Sequence, residues 1–328
     1  MKAFLVRNWF VLALPATVAL ALLVPSVGAN GGPLHPEVST KLAVAAIFLA
    51  QGLTLPTAAL RQGAGRWRLH LLVQSFTFLL FPLLGIALDR FWGRVVSPDL
   101  QFGFLFLCVL PSTVSSSVVQ TSLAGGNTVG AIFNAALSNL IGVVVTPMWV
   151  TWLMKQGGTV QPLGHVFQDI ASLLLVPMAL GQGLRWFLGS WADRQKRALA
   201  HACSGLILWL VFAAFCNTVH QGLWQTRDRF SLLVAAFGAA GVLALAMGAV
   251  ELLVRLARLD RGDRIAATFC APQKTIAAGI PLAKAILGSH PGLGLILLPV
   301  LLYHLLQLLV GGFLAARFSR SGQLMQPH

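Results

Sequence analysis

Apolar residues run along this chain in stretches too long for the core of a soluble domain, and the charges that separate them fall mostly in short loops. Ten such stretches, roughly 8–25, 39–58, 69–88, 102–124, 128–153, 166–188, 200–221, 230–253, 264–287 and 292–316, predict ten membrane-spanning helices. Two of the ten are interrupted. Span four carries Pro111 and then five hydroxyls in six residues: Ser112, Thr113, Ser115, Ser116 and Ser117, with Gln120 one turn on. Span nine carries Phe269-Cys270-Ala271-Pro272-Gln273-Lys274-Thr275, followed by Gly279 and Pro281. Lipid offers no hydrogen bonds, so a backbone broken at this depth must be packed in protein or line a cavity. Paired breaks at matching places in the two halves of a membrane chain point to the binding site of a secondary transporter.

The two halves match at an offset of 162 positions. Pro15 falls on Pro177, Cys108 on Cys270, and Pro111-Ser112-Thr113 on Gln273-Lys274-Thr275. Five spans per repeat is an odd number, so the repeats must cross the membrane in opposite senses. The predicted fold class is therefore an all-α polytopic membrane protein, ten transmembrane helices as two inverted five-helix repeats. Lys2 and Arg7 before the first apolar run, with Val27-Gly28-Ala29 after it, also resemble a signal peptide. The repeat argues for a span instead, because its removal would leave nine and the sixth span without a counterpart.

Composition sharpens this picture. Of 328 residues, 57% are hydrophobic and 10% charged, against about 25% charged in a soluble chain. Mean hydropathy is +0.79. The net charge of +14 would suggest nucleic acid in a soluble protein. Here the charges serve topology and the lipid surface, and no nucleic-acid partner is expected. With the N-terminus in the cytoplasm, inside segments hold fifteen Lys and Arg and outside loops six, so the chain is expected in the cytoplasmic membrane with both termini in the cytoplasm. The four cysteines lie in apolar segments without metal-ligand spacing. No paired carboxylates and no hydrolase, metalloprotease or nucleotide-binding motif are present, so the chain is not expected to be an enzyme.

Several polar residues lie in the spans. Lys274 is about 15 Å into span nine, near the middle of a ~30 Å core, where a charge is a functional hypothesis by default. His304, in the middle of span ten beside Tyr303 and one turn from Gln307, is a candidate proton relay or a hydrogen-bonded interior residue. Glu251 closes span eight one turn before Arg255 and is either a relay or half of an ion pair. Asp169 sits in the first turn of span six, where a helix N-terminus stabilises it. Asn127, Ala131, Asn134 and Ser138 share one face of span five, and Gln74 is a polar interior candidate in span three.

These motifs, P-S-T-V-S-S-S-V, A-G-G-N, A-L-S-N-L and F-C-A-P-Q-K-T-I-A-A-G-I-P-L, resemble the bile acid:sodium symporter superfamily over essentially all ten spans. Within it they are most similar to the bacterial proteins related to the seventh member of human solute carrier family 10. The resemblance implies a single transporter domain with a panel (1–60 and 166–222) and a core (69–153 and 230–318). Spans four and nine would cross unwound beside the substrate. Sodium-coupled members of that family use a Ser-Asn pair after the first break, where Ser116-Ser117 stands, and a glutamate in span nine, where Phe269 stands. Gln74 and Gln273 match two ligands of the second ion, a remnant sodium site. The expected substrate and ion contacts are therefore Gln74, Ser112, Thr113, Ser115, Ser116, Ser117, Gln120, Asn134, Gln273, Lys274 and Thr275. The Lys274 ammonium would occupy or border the vacated ion site, bound by carbonyls freed at the breaks and by hydroxyls of Ser115 to Ser117. The implied function is alternating-access transport of a small organic anion, with Na+ or H+ as the open choices of coupling ion and no other cofactor. The alternative on the same fold is a non-transporting membrane receptor or regulator of ion or lipid handling. Substrate identity and oligomeric state are not legible.

Overall fold

The computed structural model describes residues 9–55, 65–92, 96–156, 171–223 and 228–323, and these are helical with no strand. Helix α1 is Trp9–Leu23, followed by a one-turn helix Pro25–Gly28, and α2 is Pro36–Thr54. Helix α3 runs from Trp67–Ser75 through a π-helical turn, Phe76–Leu80, into Phe81–Trp92. Then come α4 (Pro98–Val109), α5 (Ser115–Leu123) and α6 (Thr128–Gln156). A π-turn at Ala171–Leu175 leads into α7 (Val176–Arg194), followed by α8 (Lys196–His220) and α9 (Asp228–Leu256). Finally α10 is Arg261–Cys270, α11 Ile276–Leu287 and α12 Leu293–Gln323.

Among the described residues, five helices are long and apolar enough to cross a membrane: Trp67–Arg90, Thr128–Met154, Lys196–His220, Leu232–Leu256 and Leu293–Arg320. Leu12–Leu23, Pro98–Val109 and Ile276–Leu287 are shorter apolar helices. Large apolar side chains such as Phe187, Phe237, Leu309 and Phe313 project outward, as suits a polytopic membrane protein whose solvent is lipid. The helix starts follow local chemistry. Ser97 caps α4, Asp260 caps α10 and Thr275 caps α11, each side-chain oxygen accepting an amide of the first turn.

Both predicted breaks are present, as non-helical chain between α4 and α5 and between α10 and α11. The sequence reading had span three uninterrupted. The structure instead puts a π-turn there, and Pro82 is the reason. It has no N–H for the carbonyl of Phe78, so the ladder widens and the amide of Phe81 bonds the carbonyl of Phe76. The indole of Trp149 takes up the orphaned carbonyl of Phe78 at 2.9 Å.

Packing forms two sets of neighbours. α2 lies against α7, and α8 lies against α1 and α2. Gly52 and Gly181 sit at the α2–α7 contact so closely that a Cβ on either would overlap the carbonyl of Met178 or of Leu49. In the other set α4 packs on α3 and α12, α9 on α12, and α5 on α6 and α10. The sets meet where α8 touches α11 and α12 and where α2 touches α11.

Candidate functional site

The two breaks are built into each other. The amide of Thr275 donates to the carbonyl of Pro111 at 3.0 Å, joining the second break to the first. A helix end leaves carbonyls without intrahelical partners, and buried ones must find others. From Leu107 to Thr113 every carbonyl does so. Leu107 accepts from the Leu110 amide, Val109 from Thr146 Oγ1 (2.8 Å), Ser112 from Asn139 Nδ2 (3.1 Å) and Thr113 from Ser117 Oγ (2.6 Å). Cys108 and Leu110 accept from the Lys274 ammonium. In the second break, Cys270 accepts from Ser112 Oγ, Ala271 from Thr77 Oγ1 (3.3 Å) and Pro272 from Tyr303 OH (2.7 Å). Gln307 clamps Lys274 from both sides: its Oε1 accepts the amide and its Nε2 donates to the carbonyl, each at 2.8 Å. Each break is thus held by the second helix after it, the first by Ser138, Asn139 and Thr146 of α6, the second by Tyr303 and Gln307 of α12.

One polar cluster bridges the crossing. Gln273 Oε1 accepts from Thr113 Oγ1 (2.9 Å) and lies 3.0 Å from Ser116 Oγ, which also reaches Thr113 Oγ1 at 2.8 Å. Gln273 Nε2 donates to Gln120 Oε1, and the Gln120 amide lies over Gly311, where a Cβ would meet it. Gln273, Thr113 and Gln120 are buried, Ser116 is half-buried, and Val114, Ser115 and Ala277 are exposed. The crossing therefore has one open side, with Gln51 of α2 beside it. Pro281 cannot donate to the carbonyl of Ala277, and Gln51 Nε2 does so at 3.3 Å.

Lys274 is 1% exposed. Its ammonium donates to the carbonyls of Leu110 (2.7 Å), Cys108 (3.1 Å) and Thr77 (3.1 Å), and lies 4.1 Å from the centre of the Phe81 ring. Among the described residues no carboxylate is within ion-pair distance of it. Cys108 and Leu110 are carbonyls at the first break, the kind of ligand expected, whereas Thr77 lies in the π-turn of α3, outside both breaks. The hydroxyls do not take part: Ser116 and Ser117 turn to Thr113 and Gln273, and Ser115 faces outward.

The remaining candidates fall in separate places. Gln74 Nε2 donates to the carbonyl and Oδ1 of Asn134, both at 3.1 Å, while Asn134 Nδ2 returns to the carbonyl of Gly130. Gln74 and Gln273 do not bond each other, and Gln74 Oε1 is buried without a partner among the described residues. His304 Nδ1 meets Gln307 Nε2 at 2.8 Å, in contact with the clamp on Lys274. Glu251 is not in the cluster; it pairs with Arg255 at 2.8 Å and with Arg264. Asp169 lies outside the described residues. No group of three His, Cys, Asp or Glu converges as a metal site requires among the described residues. A separate cavity of about 420 Å³ sits where Arg66, Asn127, Asp260 and Asp263 meet at the starts of α3, α6 and α10. Sequence reasoning missed Thr77, Gln51 and the clamp by Gln307. Two prolines, Pro82 and Pro281, were the available signals for the first two.

Comparison with known proteins places this arrangement. The chain is 39% identical to an uncharacterised protein of Pseudomonas aeruginosa over 95% of this chain and 92% of that one. It is 32% identical to sodium/bile acid cotransporter 7 of Danio rerio over 94% of this chain and 92% of that one. The Rattus norvegicus protein of the same name is also 32% identical, over 94% and 91%. The model of the SBF-like CPA transporter family matches residues 8–320, and with broken helices meeting at one polar crossing, this chain belongs to that family.

Proposed function

We propose that the protein is a secondary transporter that carries a small organic anion across the cytoplasmic membrane by alternating access. It would do so as ten spans in two inverted repeats with both termini in the cytoplasm. The observation that carries the reading is the crossing itself. Two broken helices, a polar cluster and one cation without a carboxylate partner among the described residues lie inside an apolar protein, with one side open toward α2. The breaks also keep the repeat offset: Val109 plus 162 is Ala271, and Ser115 plus 162 is Ala277, each within one residue of the end of α10 and the start of α11. Helix N-termini carry partial positive charge, and α5 and α11 both begin at the crossing, which favours an anion there. Relatives named sodium/bile acid cotransporter 7 support the substrate class.

The panel (1–60 and 166–222) would rock against the core (69–153 and 230–318), with Gln51 and Ala277 on opposite sides of the sliding surface. Lys274 would supply the fixed positive charge of the crossing without touching the anion, since all three of its donors are engaged. With that charge built in, transport should not need sodium. The test is uptake of a set of organic anions into proteoliposomes, in sodium or choline medium, with and without a proton gradient. A cysteine pair at Gln51 and Ala277 should stop uptake when cross-linked and release it when reduced. Uptake that is indifferent to the cross-link, or that requires sodium, would refute the reading. A folded protein that carries no anion in any state would instead be the receptor or regulator.

A further inference from the structure

Three backbone carbonyls converge on the Lys274 ammonium, and each is free for a reason in the sequence. Leu110 ends α4 in extended backbone, with ψ 151°, so its own carbonyl and that of Cys108 lose their helical partners. Thr77 loses both of the amides that could have served it. The amide of Phe81 is taken by Phe76 in the π-turn, and the next position is Pro82, which has none. The result is a cage of neutral oxygens at the negative end of α4, floored by the Phe81 ring. Such oxygens are the ligands that replace the hydration shell of a monovalent cation in protein pores. The contact distances of 2.7–3.1 Å are too long for a divalent metal, which seeks oxygens at about 2.0–2.6 Å. They suit an ion the size of ammonium or potassium.

We propose that the carbonyls of Thr77, Cys108 and Leu110 form a monovalent-cation site that the chain fills with its own Lys274 ammonium, and that shortening Lys274 opens the site to a free potassium-sized ion. Among the described residues, the titratable groups near the cage are the thiol of Cys108 on α4 and, from α12, Tyr303, whose hydroxyl is bound to Pro272, and His304, which is bound to Gln307. None supplies a negative charge that would fix the cation by itself. Occupancy therefore rests on the carbonyl cage, and a cation on no tether can take the place of the tethered one.

The inference does not depend on what the protein transports, and its test reads stability instead of uptake. Lys274→Ala and Lys274→Met would be purified in detergent and unfolded thermally in choline, sodium, potassium or methylammonium chloride at constant ionic strength. Lys274→Ala should gain about 5 °C, saturably, in potassium or methylammonium and less in sodium. Unmodified protein, whose cage is full, and Lys274→Met, whose thioether fills the space, should not respond. A flat Lys274→Ala response, or an equal one in the unmodified protein, overturns the site. If Lys274→Ala does not accumulate in membranes, Lys274→Ser should do so when cells are grown with methylamine, which crosses the bilayer uncharged. Loss of both variants under every condition also overturns it.

Discussion

Replacing Gln273 with leucine isolates the polar cluster from the packing around it. The two side chains are close in volume, so no cavity is opened, but an acceptor and a donor disappear. Three partners are affected: Thr113 Oγ1, Ser116 Oγ and Gln120 Oε1. Ser116 is half-buried and keeps Thr113 at 2.8 Å, so its loss counts for little. The Thr113 hydroxyl can turn its proton to Ser116 Oγ, but the Gln120 oxygen is buried and left unpaired, an orphan that costs about 1–3 kcal/mol. The expected loss is therefore about 1–3 kcal/mol. Gln120→Leu alone orphans the buried Gln273 Nε2 in the same way, and the double variant leaves neither orphan, so it should be more stable than the sum of the singles by about 2–6 kcal/mol. Unfolding of the four proteins by denaturant in detergent measures this cycle, and proteoliposome uptake follows function beside it. Transport should be absent from Gln273→Leu and remain absent from the double variant, because apolar packing restores stability without restoring a polar wall. Additive destabilisation, or a Gln273→Leu protein within about 0.5 kcal/mol of the unmodified one, would refute the reasoning.

Gly52→Val and Gly181→Val should each prevent α2 and α7 from closing, seen as loss of the monodisperse peak in size-exclusion chromatography, whereas Gly241→Ala, where the space is open, should be tolerated. Trp149→Phe leaves the carbonyl of Phe78 without a donor and should cost about 1–3 kcal/mol, read as a lower unfolding midpoint. Adding Pro82→Ala supplies an amide for that carbonyl and should recover much of the loss. Reporter fusions after Arg68, Arg197 and Arg261 should signal cytoplasm, and fusions after Pro98 and Arg227 the outside; an outside signal after Arg197 would break the inverted-repeat argument.

The sequence by itself determined that this is a helical membrane protein, where two of its helices break, and which charge lies among apolar turns. Those properties are local. Apolar length sets a span, and Pro111 and Pro272 each remove an amide from the ladder, whatever surrounds them. Sequence also suggested carbonyl ligands for Lys274, because a break frees carbonyls close by. What the tertiary structure decided was which carbonyls and which partners. Thr77 lies 197 positions from Lys274 and Gln307 lies 33 away, and neither contact leaves a periodic trace in the sequence. The hydroxyls of Ser116 and Ser117 were as plausible for the ammonium as any carbonyl. They are spent within three or four residues of their own position or on Gln273, since a short hydroxyl on a helix reaches its own preceding turn. Only the packing of α3, α4 and α12 around the second break, which fixes the depth at which each orphaned oxygen stands, could assign the cage to Lys274.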